Sequence, residues 1–229
     1  MASRTFFVPM SSSPFYDERK VSFEYYPGFA LSQQQKSIRA MHEAIGIQFG
    51  ISGVLEVSTK SESALGVSLS AFNLTLNAGG TSSSVESFYQ SSKRFVNGGP
   101  FTDIAYKSPL DAKRDSRLAE SGALIDFVSD GISWPLLPSP NFYDFIYISA
   151  LAKSAHADRV NNFKAFSDFA YSTQVGKQKK GKSWNCQARS LAIYSALSSQ
   201  YERKEILNQV RNLAADRTRQ DAPDIPTLF

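Results

Sequence analysis

The chain reads as an α+β protein: a single, mainly helical domain with a small β-sheet contributed mostly by its N-terminal third. Three observations lead there. Strand-like alternation is concentrated before residue 80. Helix-period apolar patterns dominate after it. No similarity recurs at spacings of roughly 20 to 50 residues, which leaves out solenoids and propellers.

Taken in order, residues 1–18 look like an irregular lead-in. Val21, Phe23 and Tyr25 alternate with polar neighbours and predict a short strand. Ser32 stands three residues before Gln35, an N-cap spacing, and Ile38, Met41 and Ile45 follow at helical intervals. That helix should end near Gly50. Val54, Leu55 and Val57 predict a second strand. Leu65, Val67 and Leu69 predict a third, which continues through Leu74 and Leu76 until Gly79-Gly80 breaks it. Helical patterning then covers about 84–96, 109–120, 141–155, 186–200 and 203–216. Trp134-Pro135 and Pro138 to Pro140 mark a loop, and the tail DAPDIPTLF is expected to be loosely held. Residues 1–50 form an N-terminal extension packed on a core built from 51–229.

Apolar residues make up 42% of the 229 and aromatics 13%, enough for one sizeable core. No apolar run reaches membrane-span length. The N-terminal MASRTFFVPM is too short, and too broken by Pro9, for a secretory signal. The one cysteine, Cys186, excludes an internal disulfide and suits a reducing cytoplasm. It reads as a buried structural thiol. His42 and His156, the only histidines, lie far from it, so neither a Cys–His pair nor a zinc spacing appears. A metal-free and cofactor-free site is expected. No P-loop or dinucleotide fingerprint is present, which argues against kinase and dehydrogenase chemistry.

Net charge is only +4, but between Gly176 and Arg189 the chain carries Lys177, Lys179, Lys180, Lys182 and Arg189 without an acid. Such a loop, placed at about 171–184, can attract a phosphate backbone. It can equally be a solvated surface.

Ser82 to Phe95 is the most informative stretch. At roughly 100° per residue Val85, Phe88, Ser92 and Phe95 share one side, and Glu86, Gln90 and Lys93 share the other within roughly 60°. Tyr89 sits between. Cleaving a glycosidic bond to nitrogen needs stabilisation of positive charge at the sugar carbon and a proton for the leaving group, and a carboxyl group serves both. A lysine of lowered pKa can attack an aldehyde-like sugar carbon. The plainer alternative is that Ser83 and Glu86 form a capping box and the polar side is merely wet.

The run Ser-Val-Glu-Ser-Phe-Tyr-Gln-Ser-Ser-Lys-Arg-Phe, ending at Phe95, resembles the signature helix of the NADAR (YbiA-like) family. Upstream, Leu69-Ser70-Ala71-Phe72 is similar to its Ser-Asn-Phe motif, with Ala71 in place of Asn. Downstream, Ser108-Pro109-Leu110-Asp111-Ala112-Lys113-Arg114 is similar to its Ala-Lys helix start. Instead of the family's usual Trp-Gly-x-Gly-like ending the chain has Lys182 to Ser190, a form that resembles the branch paired with DarT-type toxins. Those toxins attach ADP-ribose to guanine in single-stranded DNA, and the NADAR partner hydrolyses it off. The resemblance therefore implies a YbiA-like fold with a catalytic domain at 51–229. It also implies a glycohydrolase antitoxin that acts on ADP-ribosylated single-stranded DNA, releases ADP-ribose and has a DarT-type toxin as a partner.

On that reading Glu86 is acid/base, Lys93 or Lys113 is nucleophile or phosphate anchor, and substrate-binding residues are Tyr89, Gln90, Asp144, Trp184, Asn185, Gln187 and Arg189. Asp144 stands out as an acid in an apolar run. Asn185, Gln187 and Arg189 open a helix. Lys113 and Arg117 share a helix side after the Ser108 cap. Two other readings carry different expectations: a non-catalytic antitoxin or ADP-ribose reader, and an N-glycosidase for phosphorylated small molecules.

Overall fold

The computed structural model describes residues 1–78, 80–136, 141–171 and 186–220. Among these it contains eight α-helices and nine strands, an α+β arrangement in which helices dominate. The lysine-rich loop, Trp184 and Asn185 lie outside the described residues.

The largest sheet has the order β2-β1-β9-β3. β1 (Ala2–Pro9) and β2 (Tyr16–Phe23) form an antiparallel hairpin. β1 then pairs antiparallel with β9 (Ala165–Ser167), which runs parallel to β3 (Val54–Glu56). Residues 1–18 are therefore strand and turn, not an irregular lead-in. Their pattern hid this because β1 is buried on both faces. Successive side chains of a strand point to opposite sides, and Phe6 and Phe7 are both fully buried, each in a different core.

One core lies under α1 (Leu31–Phe49), whose Ile38, Met41 and Ile45 pack on Phe6, Val21, Phe23 and Phe169. The helix starts after Ala30 with no side-chain cap, so the Ser32–Gln35 pair is not its boundary. It stops at Gly50, whose φ of 67° suits a residue without a Cβ. The other core joins Phe7, Leu55 and Phe166 to α6 (Asn141–Lys153) and α7 (Gln187–Ser198). Every residue of α7 from Ala188 to Leu197 is buried, so the helix is central to the core, its buried Arg189 and Ser190 paired with Asp144. Ile206 and Val210 of α8 (Arg203–Gln220) close this core.

Leu65 and Leu69 belong to a helical turn, α2 (Ala64–Ser68), not to a strand, and Leu69 N–H donates to Leu65 O at 2.9 Å. Strand structure begins only at β4 (Thr75–Ala78), which pairs with β5 (Thr81–Ser84). β5 runs straight into α3 (Val85–Ser91). The helix foreseen to about residue 96 ends at Ser91, five residues early. The Ser91 and Ser92 hydroxyls both turn back to Phe88 O at 2.8 Å, and β6 (Lys93–Phe95) leaves to pair with β7 (Leu124–Ser129). β7 also pairs with β8 (Ile132–Pro135), so Trp134-Pro135 is strand and not loop. The 109–120 segment is two short helices, α4 (Pro109–Lys113) and α5 (Arg117–Glu120). Asp115 breaks it by accepting from Arg117 N at 3.1 Å.

Gly66 marks the closest approach between α2 and the sheet: a Cβ there would overlap the Glu56 carbonyl oxygen and the Ser61 hydroxyl. Gly66→Ala should therefore lower the melting temperature by several degrees, an overpacking cost of about 1–3 kcal/mol. An unchanged melting temperature would show that α2 is free to shift.

Candidate functional site

α3 is short, but its ends are well fixed. Ser84 caps it, its hydroxyl accepting from Ser87 N at 3.0 Å. Glu86 N–H donates to Ala71 O at 2.9 Å, which ties the helix start to the loop after α2. Because Ser84 is the cap, Glu86 is not spent in a capping box. Nor is the Glu86 side of the helix wet: Glu86 is 3% exposed and Gln90 5%.

That side faces a cavity of about 310 Å³, whose wall includes Glu86, Phe72, Lys113, Tyr143, Asp168 and Gln187. This is the small end of the range of roughly 300–1,000 Å³ typical of ligand pockets. Three residues named from sequence thus meet here: Glu86 from α3, Lys113 from α4 and Gln187 from α7. Gln187 connects two walls. Its Oε1 accepts from Ala71 N at 2.5 Å, and its Nε2 donates to Asp168 Oδ2 at 3.2 Å. Lys113 holds its ammonium 5.9 Å above the Phe72 ring at the rim.

Lys93 is not part of the cavity wall; it stands behind Glu86 and joins it through an amide. Gln90 Nε2 donates to Glu86 Oε1 at 2.8 Å, and Lys93 Nζ donates to Gln90 Oε1 at 2.7 Å. Burial holds the Lys93 amine down to about 8, with the nearby Lys113 charge adding to the effect and Glu86 opposing it. A substantial fraction is thus neutral near physiological pH.

Other residues named from sequence lie elsewhere. The Tyr89 ring is 3% exposed and packed against Phe127 and Tyr143, with centroids 5.1 and 5.2 Å away, so it is no open stacking platform. Asp144 and Arg189 are paired in the core at 3.1 Å, and Ser190 Oγ also donates to Asp144 at 2.7 Å. This buried pair locks α7 to α6 beside the cavity. Arg117 is shared between Asp103 and Asp115, an ion-pair network at the surface. Cys186 is fully buried, and burial pushes its thiol up, away from nucleophilic chemistry.

Two carboxyls that sequence reasoning passed over belong to the site. Asp168, just after β9, lines the cavity; burial raises its pKa, while the Gln187 hydrogen bond and the Lys60 charge oppose that. Glu56 lies behind it. It accepts from Ser58 Oγ at 2.7 Å, Ser167 Oγ at 2.6 Å and Phe169 N at 2.9 Å, and so holds the residues on both sides of Asp168. Burial, reinforced by Asp168, pushes Glu56 up to about 7.

A family model for the DarT1-associated NADAR antitoxin matches residues 2–223, nearly the whole chain. The chain belongs to that family. No curated protein matches it. The family match spans the cavity walls and the first two strands alike, so the β1-β2 hairpin is part of the family fold. Among the described residues no helix of this NADAR protein is long and apolar enough to cross a membrane.

The Glu56 environment sets a stability test. Its folded pKa is raised above the unfolded value, so between about 4.5 and 7 the folded chain keeps a proton the unfolded chain has lost. Stability from this group is full below that window and falls as pH rises through it. Glu56→Gln preserves the shape and removes the titration. Its melting temperature relative to wild type should rise by several degrees between pH 4.5 and pH 8. Calorimetry showing a constant difference would mean Glu56 is ionised throughout.

Proposed function

We propose that this chain hydrolyses the N-glycosidic bond between ADP-ribose and a guanine base in single-stranded DNA, and that this activity reverses the action of a DarT-type DNA ADP-ribosyltransferase. The observation that carries the reading is the Glu86–Gln90–Lys93 chain, with the carboxyl end in a cavity and the amine end held near neutrality.

The neutral Lys93 amine reaches past Gln90 into the cavity and attacks the anomeric carbon as the bond from that carbon to the guanine nitrogen breaks; the ammonium so formed gives up one proton, which the Glu86 carboxylate carries to the leaving nitrogen. The resulting glycosylamine opens its sugar ring to a Schiff base, its N–H proton passing to the ring oxygen; water then adds to that carbon, a proton passing through Glu86 to the amine, and the amine leaves as ADP-ribose is freed. While charge builds at the sugar carbon, the Glu86 carboxylate is a nearby counter-charge in a low-dielectric setting. Lys113 at the rim suits the role of pyrophosphate anchor, and Phe72 beneath it offers an aromatic face. Gln187 positions Asp168 and the Ala71 loop. The Asp144–Arg189 pair acts on the site indirectly, by fixing α7. Trp184, Asn185 and the lysines from Lys177 to Lys182 belong to the same proposal as grips on the DNA strand.

The proposal keeps the catalytic residues within 51–229 and gives residues 1–50 a supporting part, since β1 backs β9 and so supports Asp168. The proposed setting is cytoplasmic, where toxin and DNA are found together. Neither a metal nor an organic cofactor enters the scheme.

The decisive experiment is mass-spectrometric turnover of an oligonucleotide carrying ADP-ribosyl guanine. Wild type should release ADP-ribose, and Glu86→Gln should lose about 10²–10⁴-fold in rate while keeping its melting temperature. Because the neutral amine is the nucleophile, kcat/KM should climb with pH and level off above about 8. Borohydride should trap a sugar adduct on wild type but not on Lys93→Arg. A trap lost only in Lys113→Arg would transfer the nucleophile's role to Lys113. Binding of ADP-ribose without any turnover would favour a reader or a non-catalytic antitoxin. Turnover restricted to small phosphorylated N-glycosides would change the substrate.

A further inference from the structure

Three buried side-chain polar atoms lack a hydrogen-bond partner among the described residues: Arg4 Nε, Gln34 Oε1 and Tyr143 Oη. The first two belong to side chains with other outlets. Arg4 donates through Nη1 to Ser3 O and lies over the Phe169 ring, and Gln34 donates through Nε2 to Phe29 O near the surface. Tyr143 has no such outlet. It is 1% exposed, it stands on α6 at the centre of the main core, and it lines the cavity.

An unpaired buried hydroxyl costs about 1–3 kcal/mol. Its surroundings explain why the protein itself does not satisfy it. The ring is fixed edge-on against Tyr89 at 5.2 Å and beside Tyr147 at 6.0 Å. The Tyr147 hydroxyl is already spent on Leu69 O at 2.5 Å. Glu86 and Asp168 both act on Tyr143 electrostatically, yet neither bonds it: Glu86 Oε1 is taken by Gln90, and Asp168 by Gln187 and Ala170 N. Burial and these neighbouring carboxyls keep the phenol protonated. The cavity wall therefore carries one unused donor together with two acceptor carboxyls.

A ligand group that fits must accept from a phenol and donate to a carboxylate at the same time. An alcohol does both, whereas a phosphate oxygen only accepts and is repelled by the carboxyls. We infer that Tyr143 Oη donates to a hydroxyl of the ribose bearing the scissile bond, and that Tyr143, Asp168 and Glu86 together form a diol subsite at the cavity floor. The phosphates would then point outward, toward Lys113 at the rim. This rests on the glycohydrolase reading and specifies how that site orients the sugar.

The test pairs Tyr143→Phe with ADP-ribose and with its analogues lacking one hydroxyl of the distal ribose. Phenylalanine fills the same volume and removes an unpaired group, so the variant should keep or slightly raise the melting temperature. Its affinity for ADP-ribose, by calorimetry, should fall about five- to tenfold. One deoxy analogue should bind wild type that much more weakly but bind wild type and Tyr143→Phe alike, as a double-mutant cycle requires when the two groups touch. A lowered melting temperature would overturn the inference, since the hydroxyl would then be bonded within the protein. So would equal affinity of wild type and variant for ADP-ribose, the result expected if the hydroxyl only holds a water. Failure of wild type to bind ADP-ribose at all would overturn the underlying reading as well, and the two failures are thus told apart.

Discussion

The Gln187 side-chain amide joins the two halves of the cavity. Its oxygen accepts from Ala71 N, and Ala71 O in turn accepts from Glu86 N. Its nitrogen donates to Asp168. One planar group therefore sets the distance between the helix that carries Glu86 and the strand end that carries Asp168. The amide can do this only because its own backbone does not move. Gln187 opens α7, whose next ten residues are all buried, and the Asp144–Arg189 pair ties that helix to α6. A buried ion pair is weak evidence for net stability, since desolvation offsets its attraction, but removing one partner strands the other at about 3–5 kcal/mol. Its part here is registry: it fixes the rotation of α7 that aims Gln187 at both walls.

The sheet plays the matching part on the other wall. β9 is only three residues long, yet it is flanked by β1 on one side and β3 on the other. Glu56, on β3, holds the residues before and after Asp168. His42 of α1 reaches the same Ser167 hydroxyl at 2.8 Å, so the helix of the first 50 residues also bears on Asp168. The N-terminal strands thus bear on the cavity even though they contribute no side chain to its wall.

How much of this was legible in the sequence follows from which signal each element carries. α1 and α8 were readable because one face is buried and the other wet, and that asymmetry is what periodicity measures. α7, buried all round, carries no such asymmetry; its polar opening at Gln187 and Arg189 is the visible sign of it. β1 was missed because both faces are buried, which erases alternation. Leu65, Val67 and Leu69 alternate as a strand does, but Gly66 lets α2 sit directly on the Glu56 carbonyl and the chain coils there instead. The β7–β8 hairpin did carry a signal: Asp130-Gly131, with φ of 50° and 73°, is the residue pair that a tight two-residue turn favours. Pro135, at the end of β8, carries the opposite signal and reads as loop. In the site, Glu86, Lys113 and Gln187 were within reach because they stand in motifs or at helix starts. Asp168, Glu56 and Tyr143 were not, since the pairings that give them a role span separations such as Glu56 to Ser167.

The interposed Gln90 decides what chemistry the cavity can support. A lysine touching a carboxylate directly is held charged by it, and the attraction of an ion pair in a low-dielectric site competes with the desolvation that favours the neutral amine. Placing an amide between Glu86 and Lys93 keeps a continuous hydrogen-bonded line and removes the direct contact. Desolvation then prevails, with Lys113 adding repulsion, and the amine settles near 8. The same spacing leaves Glu86 free to face the cavity. A direct Glu86–Lys93 contact would give a more conventional salt bridge and a poorer nucleophile. The early end of α3 produces this geometry: had the helix continued to Phe95, Lys93 would have stayed on the helix surface. Because the chain turns into β6 after Ser92, its ammonium comes back over the Tyr89 ring, 5.0 Å from the centroid, and onto Gln90. The local serine-driven break in the helix is therefore the step that turns a polar stripe into a tuned amine.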